Sequence, residues 1–172
     1  MSARLPWLPP PRYYTEHMSI GQTWQTASTS LDATLALAGR IGSRLRGGEI
    51  IELVSDLGGG KTAFVRGLAA GMGSRDPVRS PSFTLSHQYK AGKLTLHHFD
   101  FYRLAEPGIM SRELAEVLED PEVVVAVEWG GIVEDVLPDE RLTINIKVTG
   151  EDQRAIEFSY PENLNYLFPS NT

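Results

Sequence analysis

The chain has 172 residues, of which 41% are apolar and 22% charged, a balance typical of one globular domain with its own core. It contains no cysteine, which excludes disulfides, thiolate metal sites and a thiol nucleophile, and this composition suits a cytoplasmic protein. The net charge of −6 argues against broad attraction to nucleic acid, and no apolar run is long enough to cross a membrane.

The first 28 residues differ from the rest of the chain. Four prolines lie here among aromatic residues, without a sustained helical or strand period. We therefore predict an extended or disordered N-terminal extension over residues 1–28. It lacks the basic stretch and apolar core of a secretory signal, so export is not expected. A Pro-rich arm that binds a partner is the alternative interpretation.

The following segments alternate between helical and strand patterns. Apolar residues at steps of three and four from residue 31 predict an amphipathic helix, with Thr29 or Ser30 as its cap. A short buried strand over residues 50–54 leads into a glycine-rich loop, and a second helix ends at Gly73. Further on, the patterns predict a hairpin (83–89 and 94–99), a helix (111–118), a buried strand (123–127) and two half-buried strands (142–148 and 155–160). The tail (161–172) is predicted to be loose, although Tyr166, Leu167 and Phe168 could dock on the domain or on a partner.

The glycine-rich loop between the strand and the helix is the strongest functional signal. Backbone N–H groups of such a loop, together with the positive end of the next helix, can wrap the phosphates of a nucleotide. A lysine there reaches the β- and γ-phosphates, and the following hydroxyl binds Mg²⁺. The residues predicted to hold the nucleotide are Gly58, Gly59, Gly60, Lys61, Thr62 and Ala63.

Two carboxylates follow predicted strands. Glu128 ends five apolar residues, a costly place for a charge unless it meets a cation, so it is a candidate for Mg²⁺ together with Thr62. The alternative is that Glu128 marks the exit of the strand into solvent. Asp100 could orient a water molecule or accept a proton, or it could form a turn or pair with Arg103.

Two other features of the sequence leave alternatives open. His97 and His98 are neighbours on a predicted strand, so their side chains should point to opposite faces and should not share a metal ion. Between the loop helix and the hairpin, many nucleotide-binding proteins place a sensor of the γ-phosphate. Such a switch-like loop would contain Ser80, Pro81, Ser82, Phe83 and Thr84, although the same residues also suit an ordinary proline-containing connection.

Together, four motifs resemble the TsaE family, bacterial P-loop ATPases that support the synthesis of threonylcarbamoyladenosine in tRNA. They occur in the family's order, and the resemblance covers residues 29–160, nearly the whole predicted domain. The motifs are SDLGGGKTAFVRGL (55–68), SPSFTL (80–85), HHFDFYRL (97–104) and VVVAVEW (123–129).

The resemblance implies a three-layer α/β fold, P-loop NTPase-like, with a central sheet of mixed direction. It implies ATP and Mg²⁺ as cofactors, with Lys61 at the phosphates and with Thr62 and Glu128 at the metal. Asp100 matches the family's catalytic aspartate, and Trp129 matches the aromatic residue after its glutamate. The implied partners are TsaB-like and TsaD-like proteins, with tRNA reached only through their complex.

The sequence departs from the family pattern at three positions. Ser55 stands where the first loop glycine is usual, Gly59 replaces an alanine, and Ser82 replaces a threonine. Ser82 keeps a hydroxyl, and added backbone freedom at Gly59 should not obstruct the turn. Ser55 would cost about 1 kcal/mol if its position required a positive φ.

The leading hypothesis is therefore an enzyme that hydrolyses ATP with Mg²⁺ and is coupled to partner proteins. The alternative is a nucleotide-gated assembly module in which hydrolysis is incidental. A small-molecule kinase is a third interpretation, disfavoured because no arginine-rich lid is evident.

Overall fold

The computed structural model describes residues 21–81, 83–106 and 108–169. Most of the predicted disordered extension, residues 1–20, and Ser82 of the switch-like loop therefore lie outside the described residues. Within the described ranges, no helix is long and apolar enough to cross a membrane.

Seven strands form one mixed sheet in the order β1-β7-β6-β2-β5-β4-β3. The four central strands, β6, β2, β5 and β4, run parallel to one another, whereas β1, β7 and β3 are antiparallel to their neighbours. The strands are β1 (Gln22–Ser28), β2 (Ile50–Val54), β3 (Ser86–Ala91), β4 (Leu94–Asp100), β5 (Val123–Glu128), β6 (Leu142–Val148) and β7 (Arg154–Tyr160).

Helices cover both faces of the sheet. On one face, α1 (Leu31–Gly42) and α2 (Lys61–Met72) pack on each other and on the larger apolar core. On the other, α3 (Gly108–Leu118) and a 3-10 turn (Gly130–Val133) enclose a smaller core around Phe99 and Val127. The predicted three-layer α/β fold with a mixed central sheet is therefore confirmed.

The orientation of α2, which begins at the glycine-rich loop, depends on close contact with α1. A Cβ atom added to Gly71 would lie 2.1 Å from the backbone oxygen of Gly39, far inside van der Waals contact. The side chain of Ser30 accepts a hydrogen bond from the N–H of Ala33 and so caps α1, as predicted. The helix pair thus fixes where the loop presents its N–H groups.

The structure corrects the prediction for the end of the N-terminal extension. Residues 22–28 form β1, an edge strand paired along its length with β7. The sequence signal was weak because most of this strand is exposed and polar, and Trp24 supplies its large apolar contact, with the ring of Phe158. Its stability comes from the backbone ladder with β7, which local periodicity does not reveal.

The expectation of a loose tail is also wrong for residues 161–168, and the alternative in which Tyr166, Leu167 and Phe168 dock on the domain is confirmed. Glu162–Leu167 forms a 3-10 helix, and both Leu167 and Phe168 are buried in the larger core. Arg44 donates a hydrogen bond to the backbone oxygen of Leu167, and Tyr166 donates one to Glu49. Two predicted boundaries also shift, because β3 begins at Ser86 and α3 at Gly108.

Candidate functional site

The glycine-rich loop, the start of α2, the end of β5 and the segment before β3 surround one cleft. It has a volume of about 230 Å³ and lies at the carboxyl end of the parallel strands, where α/β proteins bind ligands. The parallel register places Glu128 beside both Leu53 and Asp100. The residues that line the cleft are Leu57, Gly58, Gly59, Gly60, Lys61, Thr62, Ala63, Ser80, Glu128 and Trp129.

Two loop glycines have backbone angles that favour this residue type. Gly58 has φ 76° and Gly60 has φ 112°, both in the left-handed region. Ser55 is not in that region, so the strain that a serine would suffer there does not arise. The first position of the loop therefore tolerates the departure from the family pattern.

Lys61 lies buried at the start of α2 and is turned toward its own loop. Its Nζ donates hydrogen bonds to the backbone oxygens of Ser55 and Asp56, at 3.0 and 3.1 Å, and lies 4.4 Å from the centroid of the Trp129 ring. Burial lowers the pKa of the Lys61 ammonium, against the nearby carboxylates of Glu128 and Asp100, which raise it. A desolvated cation of this kind would bind an anion strongly.

Thr62 and Glu128 meet in the cleft. The Thr62 hydroxyl donates to Glu128 Oε1 at 3.3 Å, and Glu128 is only 3% exposed. The alternative in which Glu128 marks the exit of a strand into solvent is therefore wrong. A hydroxyl and a carboxylate side by side are the hard oxygen donors that Mg²⁺ prefers. Among the described residues, no group of three or more His, Asp or Glu side chains forms a metal cluster.

Asp100 sits behind the cleft wall and connects it to the switch-like loop. It is 2% exposed, and its Oδ2 accepts a hydrogen bond from the Ser80 hydroxyl at 3.2 Å. Its Oδ1 accepts one from the N–H of Tyr102 at 3.0 Å. Ser80 lines the cleft whereas Asp100 does not, so the carboxylate faces the cleft across this hydroxyl.

The described residues of the switch-like loop are anchored at Pro81 and expose Phe83. Pro81 is buried, and its oxygen accepts hydrogen bonds from the N–H groups of Thr84 and Leu85. Leu85 has φ 65°, an uncommon angle for a leucine. Phe83 is 85% exposed, and the Arg103 guanidinium lies 4.5 Å from the centroid of its ring.

Sequence reasoning missed two residues that hold the site. His98 is fully buried, and its Nε2 lies 2.9 Å from Glu128 Oε1. Arg154 donates from Nε to the backbone oxygen of Gly59 at 2.9 Å and so braces the loop from β7. Both contacts join residues that are far apart along the chain. The signal that could have found His98 is strand alternation, which places it on the same face of β4 as Asp100. The prediction that His97 and His98 face opposite sides is confirmed, since His97 stacks on Phe99.

The comparison with solved structures agrees with this geometry. The crystal structure of YdiB from Bacillus subtilis has a TM-score of 0.69 and 32% sequence identity, and the match covers 84% of this chain and 90% of that one. The mixed sheet and the glycine-rich loop at the start of α2 therefore form a P-loop NTPase-like fold, like that of the matched structure, and the predicted fold is confirmed.

The chain belongs to the TsaE family, and the resemblance inferred from the four motifs is confirmed. The profile described as "Threonylcarbamoyl adenosine biosynthesis protein TsaE" matches residues 28–156. The tRNA threonylcarbamoyladenosine biosynthesis protein TsaE of Bacillus subtilis is 37% identical over 79% of this chain and 84% of its own length. The protein of that name from Nostoc is 37% identical over 66% of this chain and 72% of its own length.

Proposed function

We propose that this protein is a Mg²⁺-dependent ATPase that supports threonylcarbamoyl transfer to tRNA adenosine by TsaB-like and TsaD-like proteins. The observation that carries the proposal is the convergence of Lys61, Thr62 and Glu128 on one cleft, with Asp100 behind Ser80 at its wall. The named role of the relatives supplies the biological context.

The loop and Lys61 would bind the phosphates. In the structure the Lys61 ammonium is held by two loop carbonyl oxygens, which are weaker partners than a phosphate anion. We propose that Lys61 exchanges these contacts for the β- and γ-phosphates, and that the N–H groups of residues 58–63 surround them. The hydrogen bond from Arg154 holds the Gly59 carbonyl oxygen, which would keep that oxygen from facing the bound phosphates.

The residues present fit Mg²⁺. Thr62 and Glu128 would hold the ion from one side, and bound Mg²⁺ supplies charge neutralisation for the transferred phosphoryl group. Two protein ligands are sufficient, because Mg²⁺ keeps several waters and binds phosphate oxygens besides.

Asp100 would act on the water that attacks the γ-phosphate. Its carboxylate is fixed by Ser80 and by the N–H of Tyr102, so it has a defined direction toward the cleft wall. Positioning and charge neutralisation are enough for phosphoryl transfer, and the mechanism needs no covalent intermediate.

The test compares three variants in binding and hydrolysis. Lys61→Ala should abolish ATP binding, because the loop loses its cation. Asp100→Asn should bind ATP within a few-fold of the wild type, and Glu128→Gln should do so in the absence of Mg²⁺, whereas both should lose about 100-fold or more in hydrolysis. Binding is measured by calorimetry and hydrolysis by phosphate release. Full hydrolysis by both carboxylate variants would overturn the mechanism.

The partner role is tested separately, by reconstituting tRNA modification with TsaB-like and TsaD-like proteins. We expect repeated turnover with ATP and arrest with a non-hydrolysable analogue. Repeated turnover with the analogue would favour the nucleotide-gated assembly module instead.

A further inference from the structure

His98 makes one specific contact with the candidate site. Its side chain is fully buried, and its Nε2 donates to Glu128 Oε1 at 2.9 Å. Its other ring nitrogen, Nδ1, is buried and has no hydrogen-bond partner in the described part of the chain. An unpaired buried nitrogen is costly, and an apolar side chain would fill the same space without that cost. The bond to Glu128 is thus the contact that a histidine makes at this position and that an apolar side chain could not make.

The Glu128 carboxylate depends on this bond for its orientation. Oε1 receives two donors, His98 Nε2 at 2.9 Å and Thr62 Oγ1 at 3.3 Å. If Thr62 turns its oxygen toward a metal ion, as the proposed function requires, the donor that remains on Oε1 is His98. The histidine is held on β4, directly beside β5, and so does not depend on the loop for its own position.

Orientation matters because Mg²⁺ demands nearly ideal octahedral geometry. Groups that hold a metal-binding side chain from behind typically change metal affinity by about 10- to 100-fold when they are removed. We propose that His98 is a positioning residue that fixes the Glu128 carboxylate and thereby sets the affinity of the nucleotide site for Mg²⁺. The proposal rests on the proposed function for its metal ion, and it adds a residue to which the motifs gave no role.

Substitution of His98 by glutamine and by asparagine provides the test, because these two side chains place their amide nitrogen at different distances from the backbone. The amide nitrogen of glutamine reaches roughly the position of His98 Nε2, whereas that of asparagine reaches only the position of Nδ1. His98→Gln should therefore keep the bond to Glu128, and His98→Asn should lose it. His97→Asn is the matched control, since His97 lies on the opposite face against Phe99.

The readout is the binding of a non-hydrolysable ATP analogue by calorimetry, with Mg²⁺ and with EDTA. The gain in affinity that Mg²⁺ gives should fall about 10-fold or more in His98→Asn and stay within about threefold of the wild type in His98→Gln and His97→Asn. Binding in EDTA should be equal in all four proteins, because Lys61 and the loop are unchanged.

A double variant tests whether His98 acts through Glu128. In the Glu128→Gln background, His98→Asn should cause no further loss of the Mg²⁺-dependent gain. Three results would each overturn the role of His98. They are a Mg²⁺-dependent gain in His98→Asn as large as in the wild type, a loss of that gain in His98→Gln as large as in His98→Asn, and a further loss when His98→Asn is added to Glu128→Gln. Absence of any Mg²⁺-dependent gain in the wild type would instead overturn the magnesium assignment of the proposed function.

Discussion

Two departures from the family pattern in the glycine-rich loop are neighbours in space. A Cβ atom added to Gly59 would lie 1.7 Å from the Oγ of Ser55 and 3.0 Å from its Cβ. The serine hydroxyl therefore occupies the volume that an alanine at position 59 would need, and it donates a hydrogen bond to the Asp56 oxygen. The glycine at 59 is the partner that makes room for the serine at 55, and the two exchanges compensate each other.

This compensation predicts that a second substitution, at Ser55, rescues the stability lost by a substitution at Gly59. Gly59→Ala should lower the free energy of unfolding by about 1 to 2 kcal/mol, because Ser55 must rotate and lose its bond to Asp56. Ser55→Gly combined with Gly59→Ala should recover most of that loss. Denaturant unfolding of both variants measures the difference. Equal losses in the two would show that residues 55 and 59 are independent.

How far a residue's role could be predicted depended on where its contacts lie along the chain. Lys61 and Thr62 follow from a local strand-loop-helix pattern, and Glu128 from a charge at the end of an apolar run. His98 and Arg154 could not be assigned roles in this way, because their contacts depend on strand register and on the order of strands in the sheet. The same holds for Ser55 and Gly59, whose coupling appears only once the turn is folded.

At the scale of secondary structure elements, a buried ion cluster supports the turn that follows β5. Arg141, just before β6, donates from Nε to Glu52 on β2 at 2.8 Å and from another nitrogen to Glu134 at 2.7 Å. Glu52 is fully buried, and a Cβ atom on Gly130 would lie 2.9 Å from its Oε1. The cluster thus holds in place the 3-10 turn that comes directly after Trp129.

Removing the cation should destabilise the protein strongly. Arg141→Met leaves the buried Glu52 without a counter-charge, so the free energy of unfolding should fall by about 3 to 5 kcal/mol. Glu52→Met combined with Arg141→Met should recover most of the loss, since the fully buried charge of Glu52 is removed with its partner and the Glu134 side chain, 19% exposed, keeps contact with solvent. Chemical denaturation provides the measurement. A loss for the single variant no greater than that of the double variant would contradict this account.

The same cluster predicts a dependence of stability on pH. Burial raises the pKa of Glu52 above its ordinary value, and Arg141 opposes this shift only in part. The folded protein therefore binds this proton more tightly than the unfolded chain does. The contribution of Glu52 to stability falls as pH rises from about 4.5, the ordinary carboxyl value, through the raised pKa. Glu52→Gln should show a less negative slope in this range, and identical slopes would refute the shift.

Considered as a whole, the molecule closes its larger core with both ends of its described chain. Phe168 stacks on Tyr160 at 4.0 Å between ring centroids and also contacts Trp24 of β1. This cluster lies at the end of the sheet opposite the glycine-rich loop, because Tyr160 ends β7, which runs antiparallel to β6. This aromatic cluster and the cleft proposed to bind the nucleotide are therefore separated in space.

That separation can be measured. Phe168→Ala should lower the free energy of unfolding by about 3 kcal/mol, because a buried ring is lost from between three aromatic neighbours. Nucleotide affinity, measured well below the unfolding temperature, should not change. Val148→Ala, at a half-exposed position, serves as the control and should leave stability nearly unchanged. Weakened nucleotide binding by folded Phe168→Ala would argue that the two regions are coupled.

At the scale of the whole molecule, the sequence predicted the central strands of the sheet well, but it predicted the edge strand β1 and the C-terminal segment poorly. Strand β5 is recognisable because burial on both faces demands a continuous apolar run, and β2 keeps the same character apart from the buried Glu52. The edge strand β1 carries few apolar residues, the 3-10 helix at residues 162–167 is too short to show a helical period, and both depend on distant partners. A local sequence pattern does not indicate which distant residues will stabilise these segments.

The pairing of β1 with β7 has a consequence for synthesis on the ribosome. Gln25 pairs with Glu157, and the Gly59 carbonyl accepts a hydrogen bond from Arg154, so both contacts need residues that are translated well after β1 and the glycine-rich loop. Until β7 has emerged, the nascent protein carries an unpaired β1 and a glycine-rich loop without its hydrogen bond from Arg154. Synthesis of β7 therefore completes both the pairing of β1 and the support of the loop, and a chain interrupted before β7 exposes a β-edge open to aggregation.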